Sequence, residues 1–328
     1  MKRIIDANLN RAREGIRVLE DIARFFLEDE EIFKALKDLR HSLKGEAWVI
    51  SDRDAEGDIG RDRGKGRYKD ALELVISNSR RVEESLRVLE EISRLYDFGI
   101  NSEELERARF SIYEVEKKLA TSLERLDKVE RIRGIYVIVD AGVLGGGEVE
   151  AARRAVKGGA DVIQLRDKVS ERGEILRKAR EIKRICDENG IPFIVNDHVD
   201  IALIIGATGV HLGRKDIPPD EARKIFPLGI IGGSTSTLEE ALGSKADYIA
   251  VGSVFKSPTK PDAKRASLDV LKEIRDKVKK PVVAIGGINQ ENIKMVREAG
   301  ADAAAVISSA LMGDIEENVR RLKERFYG

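Results

Sequence analysis

The 328-residue chain reads as an α/β protein, a (β/α)8 TIM barrel preceded by an all-α helical domain. Three observations predict this. Eight short apolar runs punctuate the second half, the segments between them carry helical spacing, and a helical segment near the start recurs 70 residues later.

The first 125 residues form the helical domain. NLNRAREGIRVLEDIARF (Asn8–Phe25) aligns with NSRRVEESLRVLEEISRL (Asn78–Leu95), with nine of 18 positions identical. Asn8/Asn78, Arg11/Arg81, Glu14/Glu84 and the RVLE block are among them. Each copy leads into a second helix, near Glu31–Leu43 and Glu103–Leu123, so two pseudo-equivalent helical hairpins are expected. Ile16, Leu19, Ile22 and Phe26 recur at helical spacing and are expected to pack in the core. Between the copies, Gly45–Arg67 is rich in Gly, Asp and Arg and lacks periodicity. Arg61, Arg63, Lys65 and Arg67 among its glycines suit phosphate oxygens; a solvated charged loop is the other reading. There is no GxxxxGK[ST] element, which excludes a P-loop ATPase. The charged stretch Glu124–Arg133, without Gly or Pro, marks the boundary and reads as helix; residues 126–328 form the barrel.

Bulk properties exclude several classes. Hydrophobic residues make up 42% of the chain, enough for a sizeable core, and the formal net charge is zero. Up to residue 130 there are 26 basic and 30 acidic residues, and beyond it 33 and 29, so neither part is a basic arm for nucleic acid or an anionic membrane. Cys186 is the one cysteine, which rules out an internal disulfide or a cysteine-based zinc site; its run IKRICDENG makes it a packed small hydrophobe. No apolar leader and no membrane-length apolar run occurs, so a cytoplasmic location is expected.

In the barrel, IYVIVD (Ile135–Asp140), DVIQLRD (Asp161–Asp167), PFIVND (Pro192–Asp197), GVHLG (Gly209–Gly213), GIIGGSTS (Gly229–Ser236), YIAVGSVF (Tyr248–Phe255), PVVAIGGI (Pro281–Ile288) and AAAVISS (Ala303–Ser309) supply strands 1 to 8. Continuous Val/Ile runs suit strands buried on both faces, and polar residues at their C-terminal ends converge on one mouth. Strand 2 delivers Gln164, Arg166 and Lys168 to one side, two cations at the spacing of an oligophosphate. Asn196 and Asp197 end strand 3, and Asp216 follows strand 4. Two carboxylates facing cations across the mouth suggest Mg2+ carried with a diphosphate. Asp167 could instead pair with Arg166 or Lys168. Ser234 ends strand 5, and the loop after strand 6 offers Ser257, Thr259 and Lys260. Gly286–Ile288 and Ile307–Ser309, after strands 7 and 8, suit a monophosphate. A substrate with a diphosphate leaving group and one with a phosphate handle would meet between these sites. His198 and His211 lie near strand ends and are expected to be hydrogen-bonding supports, with metal ligation as the other reading.

Residues 134–327 resemble the thiamin-phosphate synthase family, through QLRDK, VNDHVDIAL, GVHLG with Asp216, GGSTS, ADYIAVGSVFKSPTK, AIGGIN and AAVIS in that order. The resemblance implies joining of hydroxymethylpyrimidine diphosphate to hydroxyethylthiazole phosphate, with release of diphosphate. Asp197 and Asp216 are then the metal ligands, with Asn196 beside them. Gln164, Arg166, Lys168 and Lys260 contact the pyrimidine diphosphate, and Ser234 sits by the leaving group. Ser257, Thr259, Gly287, Ile307 and Ser308 receive the thiazole phosphate. Two departures stand out: Arg214 where the family often has Gln, and Ser257 where it usually has Thr. The alternative is a thiazole tautomerase-like barrel, which shares the thiazole site but lacks the full diphosphate and metal set.

DANLNRAREGIRVLEDIARF (Asp6–Phe25), followed by LRH (Leu39–His41), resembles a small helical family sometimes fused to such barrels. It implies ATP-dependent phosphorylation of hydroxymethylpyrimidine phosphate, with Asp6, Asn8, Asn10, Arg11, Glu14, Arg17 and Arg40 as candidate site residues. A regulatory module, or one that assembles a homo-oligomer, is the other reading of this domain.

Overall fold

The structure is a computed structural model that describes residues 1–43, 66–256 and 266–328. It divides into two compact units, Met1–Glu124 and Arg125–Gly328.

The first unit is built from helices α1 (Lys2–Asp21), α2 (Glu30–Ser42) and α3 (Ala71–Ser93), with most of α4 (Ser102–Glu130). Asp29 and Asp70 cap α2 and α3, accepting from the backbone N–H of Ile32 at 2.9 Å and Glu73 at 2.8 Å. Helices α1 and α3 lie close together because Gly15 has no side chain: a Cβ there would sit 2.6 Å from Val82 Cγ2. The sequence repeat is a repeat of polar chemistry. The Asn8 and Asn78 amides each donate to a carbonyl one turn back, Ile4 and Leu74, both at 2.8 Å. Glu20 and Glu90, one in each RVLE block, are both buried. Arg17 and Arg40 hold Glu20, while Arg87, Arg94 and Arg109 hold Glu90. A buried carboxylate is tolerable only with such partners.

The expected apolar stripe ends earlier than its spacing suggests. Ile16 and Leu19 are buried, but Phe26 is 53% exposed. Residues Ile22–Phe26 form a π-helical turn, in which the Leu27 N–H reaches back five residues to the Ile22 carbonyl. That extra residue rotates the following side chains out of phase, and Ala23 takes the buried position.

The second unit is a closed parallel barrel in the order β1-β2-β3-β4-β5-β6-β7-β8. The strands are β1 (Gly134–Asp140), β2 (Val162–Arg166), β3 (Phe193–Asn196), β4 (Gly209–Leu212), β5 (Ile230–Thr235), β6 (Tyr248–Gly252), β7 (Val282–Ile285) and β8 (Ala303–Val306). Strand alternation divides the core in two. Ile135, Val137, Val139, Ile163, Leu165, Val210, Ile231 and Ile249 pack outward under the helices. Tyr136, Ile138, Val162, Ile194, Ile230, Tyr248, Ala250, Val283, Ala303 and Ala305 fill the interior. On β2 the same alternation turns Gln164 and Arg166 inward with Val162. Cys186 is buried, and burial pushes its thiol up to about 12, consistent with packing. Among the described residues no helix is long and apolar enough to cross a membrane.

Candidate active site

A cavity of about 630 Å3 opens at the C-terminal ends of the strands. It is lined by Gln164, Arg166, Lys168, Asn196, Asp197, Asp216 and Ser234 on one side and by Gly287, Ile307 and Ser308 on the other. The volume is ample for drug-sized ligands. Ser257, Thr259 and Lys260 lie outside the described residues, as do Arg61, Arg63 and Lys65 of the long loop.

Strand ends hold the polar groups in defined poses. Asp140, at the end of β1, is almost fully buried. Its Oδ1 accepts from the backbone N–H groups of Gly142 at 3.0 Å and Val143 at 3.2 Å. Its Oδ2 accepts from Arg166 Nη1 on the neighbouring strand, in register with it. The guanidinium is thereby fixed at the rim, where it lines the cavity. Asp167 does not pair with Arg166 or Lys168, as was one expectation; its partner is Lys178, at 3.0 Å. That lysine, on the helix Arg172–Glu188, also bonds Glu148 and Ser170, each at 3.0 Å. Asp167 Oδ1 accepts from the N–H groups of Val169 and Ser170, so the loop presenting Lys168 is tied down from beneath. Burial alone would push the Asp167 carboxyl up, but the bonds from Ser170, Lys178 and Val169 outweigh it and hold the pKa at about 2.

Lys168 reaches across to Asp197, Nζ to Oδ2 at 2.9 Å. Asp197 follows β3 with φ of 66°, a left-handed conformation that aspartate and asparagine tolerate better than most residues. Its carboxyl meets that of Asp216, whose Oδ2 accepts from the Gly213 N–H at 2.6 Å. Burial and the Asp197 carboxylate raise the Asp216 pKa, against the pull of the Gly213 N–H. Asp197 is itself lowered: burial works against ionisation, but Lys168 and Asp216 hydrogen bonds prevail. Two facing carboxylates offer oxygen donors that fit a hard divalent cation, one that takes one or two protein carboxylates and completes its shell with water and phosphate. Among the described residues there is no larger group of His, Cys, Asp or Glu suited to a metal. Arg214 turns its guanidinium to Glu240, at 3.3 Å, so its charge at the rim is shared.

On the opposite side, Gly286 and Gly287 take φ of 102° and 65°. A Cβ on Gly287 would lie 2.4 Å from the Lys256 carbonyl, so only glycine lets this turn pass so close. Asn292 Nδ2 donates to the Gly287 carbonyl at 2.9 Å and Ser309 Oγ to the Ile288 carbonyl at 2.8 Å, bracing the turn. Ser308 opens the short helix Ser308–Leu311 beside it.

In the helical unit, several candidate residues are engaged in structural bonds. Asn10 donates to Asp6 at 2.9 Å, Arg40 is taken by Glu20, and Asn8 bonds its own helix. Arg11 and Glu14 are exposed. Sequence reasoning missed Asp140, which holds the candidate Arg166; Lys178 and Glu148, which brace Asp167 below the candidate Lys168; and Glu20 and Glu90. For the last two a signal existed, since a glutamate recurs at the same place in both copies.

The thiamine monophosphate synthase family matches residues 135–310, and the ThiD2 family matches residues 3–118. A thiamine-phosphate synthase of Thermosynechococcus vestitus is 36% identical over 99% of this chain and 95% of its own. One from Synechocystis is 37% identical, over 94% and 91%. Among solved structures, thiamine phosphate pyrophosphorylase from Pyrococcus furiosus superposes with a TM-score of 0.57 at 38% identity, covering 61% of this chain and 97% of that one.

Proposed function

The chain belongs to the thiamine monophosphate synthase family and makes thiamin phosphate, and we propose that the barrel mouth described above carries out the condensation. The substrates are hydroxymethylpyrimidine diphosphate and hydroxyethylthiazole phosphate. The observation that supports these roles most strongly is the sharing of one cavity by a cation–carboxylate side and a glycine-turn side.

Arg166, aimed by Asp140, and Lys168 bind the diphosphate and take up the negative charge that grows as the C–O bond to the pyrimidine methylene breaks. Lys260 adds a third cation in this reading. Asp197 and Asp216, with Asn196 beside them, would hold Mg2+, which when bound supplies charge neutralisation on the departing diphosphate. Gln164 orients the pyrimidine, and Ser234 donates a hydrogen bond toward the leaving group. The pyrimidine amino group stabilises the methylene cation, and the thiazole nitrogen attacks it. The thiazole phosphate rests on Gly287, Ile307 and Ser308, with Ser257 and Thr259. No protein nucleophile is required, because the leaving group departs with its electron pair.

The two sides are tested by which KM moves. Gly287→Ala is expected to raise KM for the thiazole phosphate about tenfold, from displacement of the turn against Lys256, and to leave KM for the pyrimidine diphosphate within twofold. Gln164→Ala is expected to do the reverse. Steady-state kinetics with each substrate varied in turn measures both. A Gly287→Ala enzyme whose two KM values rise together would remove the division of the cavity.

For the helical unit, the match of residues 3–118 to the ThiD2 family supports ATP-dependent phosphorylation of hydroxymethylpyrimidine phosphate, which would supply the barrel's diphosphate. The full chain with ATP, Mg2+ and the pyrimidine monophosphate should then accumulate the diphosphate when thiazole phosphate is withheld. No conversion by a folded chain that still makes thiamin phosphate would leave the unit a regulatory or assembly module.

A further inference from the structure

Beneath Ser234 lies a row of polar groups that the condensation as described does not use. Tyr136 of β1 and Tyr248 of β6 point into the barrel interior and are buried, at 2% and 0% exposure. Their hydroxyls meet at 3.0 Å. The Tyr248 hydroxyl is 3.3 Å from His211 Nδ1, and His211 Nε2 is 3.0 Å from Ser234 Oγ. Four side chains from β1, β6, β4 and β5 thus form one hydrogen-bonded line along the cavity wall, ending at Ser234. The line has been given room: a Cβ on Gly232 would fall 2.1 Å from the Tyr248 ring, 2.3 Å from its hydroxyl and 2.6 Å from His211 Nδ1. Any larger residue at this β5 position would occupy the place where tyrosine and histidine meet.

The direction of the line follows from counting protons. Each tyrosine hydroxyl has one to give, and a neutral imidazole has one nitrogen that donates and one that accepts. Among the described residues the Tyr136 hydroxyl meets only Tyr248. If Tyr136 donates to Tyr248, then Tyr248 donates to His211 Nδ1, Nε2–H donates to Ser234 Oγ, and every buried proton has an acceptor. In the opposite direction the Tyr136 proton, on a side chain only 2% exposed, would have no acceptor among the described residues, a loss that costs free energy at a buried donor. Burial, first among the causes, holds both tyrosines above their ordinary pKa, so both remain donors through the working range.

We infer that Tyr136, Tyr248 and His211 are positioning residues that lock His211 in its Nε2–H tautomer, so that the Ser234 hydroxyl accepts from the histidine and directs its own proton at an oxygen of the leaving diphosphate. The serine gives a hydrogen bond and no proton is transferred. This inference rests on the condensation assigned to the barrel, which places the leaving group beside Ser234.

The test has one arm that does not depend on turnover. The chain has three histidines, His41, His198 and His211, so 15N NMR of the histidine-labelled full chain at neutral pH resolves few rings, and His211→Gln identifies the one in question. The expected spectrum shows His211 with a bare Nδ1 and a protonated Nε2. A ring protonated at Nδ1, alone or together with Nε2, overturns the inference whether or not the enzyme turns over. In the kinetic arm, Tyr248→Phe keeps the ring but removes the donor to Nδ1. It should lower kcat about tenfold while KM for the pyrimidine diphosphate stays within about twofold. His211→Gln can still present an N–H toward Ser234 from the Nε2 position, and should retain several-fold more kcat than His211→Asn, which cannot. Native kcat in Tyr248→Phe, or equal loss in the two histidine variants, contradicts the inference. A native chain that makes no thiamin phosphate would instead defeat the condensation reading and leave the tautomer result standing.

Discussion

Asp197→Asn is expected to lower kcat for thiamin phosphate formation by about 10²–10³-fold, the loss seen when one preorganised electrostatic group is removed from a transition state that develops charge. Asparagine is the informative replacement. It keeps the shape of aspartate and accepts the φ of 66° at this position, so the β3 end should hold its conformation. What is lost is charge: the partner of Lys168 at 2.9 Å and one of the two facing carboxylates. The Mg2+ concentration for half-maximal rate should rise in parallel, while the thermal midpoint changes by no more than a few degrees. Rates against Mg2+ concentration, with a melting curve of the same preparation, check this. An Asp197→Asn enzyme with native kcat and native Mg2+ dependence would show that the charge at this position is not used.

Lys178→Met should have the largest effect on stability. Lys178 bridges Asp167 and Glu148, whose side chains are 0% and 6% exposed, from a position itself only 8% exposed. Methionine fills the volume but leaves two buried carboxylates without their cation, a change that costs about 3–5 kcal/mol. The pH dependence carries a further signature. The Asp167 pKa is depressed to about 2, so its contribution to native stability is complete above its unfolded value of about 4. It fades as pH falls through about 2. The native chain should therefore lose stability across that acid window, and the gap between native and Lys178→Met should narrow there. Because Asp167 and Ser170 brace the loop that presents Lys168, KM for the pyrimidine diphosphate should rise as well. Urea titrations at pH 7 and near pH 3 measure the first two effects. Equal urea midpoints for the two chains at pH 7 would mean that the network contributes nothing.

The barrel was legible because a parallel strand buried on both faces must be apolar throughout, and each Val/Ile run stops where the chain meets the mouth. Gln164, Arg166, Asn196, Asp197 and Ser234 interrupt or end such runs, and they do line one cavity. Supporting residues left weaker traces. Asp140 ends a strand as plainly as Asp197 does, but its role depends on Arg166, 26 residues away, and on two backbone N–H groups of its own turn. Lys178 sits within a helix among many charged residues, where nothing separates a buried cation from a solvated one. Tyr136 and Tyr248 look like packing residues inside apolar runs; only the closed barrel brings hydroxyls 112 residues apart to 3.0 Å. Phe26 continued the apolar spacing, and the π turn that takes it out of the core is a hydrogen-bonding choice with no clear mark in composition.

The most direct measurement is product analysis of the purified full chain given hydroxymethylpyrimidine diphosphate, hydroxyethylthiazole phosphate and Mg2+. The account predicts thiamin phosphate and diphosphate in equal amounts. Formation should stop when EDTA removes the cation and return when Mg2+ is restored in excess. Turnover that is indifferent to EDTA, or diphosphate release without thiamin phosphate, would contradict the assignment of Asp197, Asp216, Arg166 and Lys168 to a metal–diphosphate site.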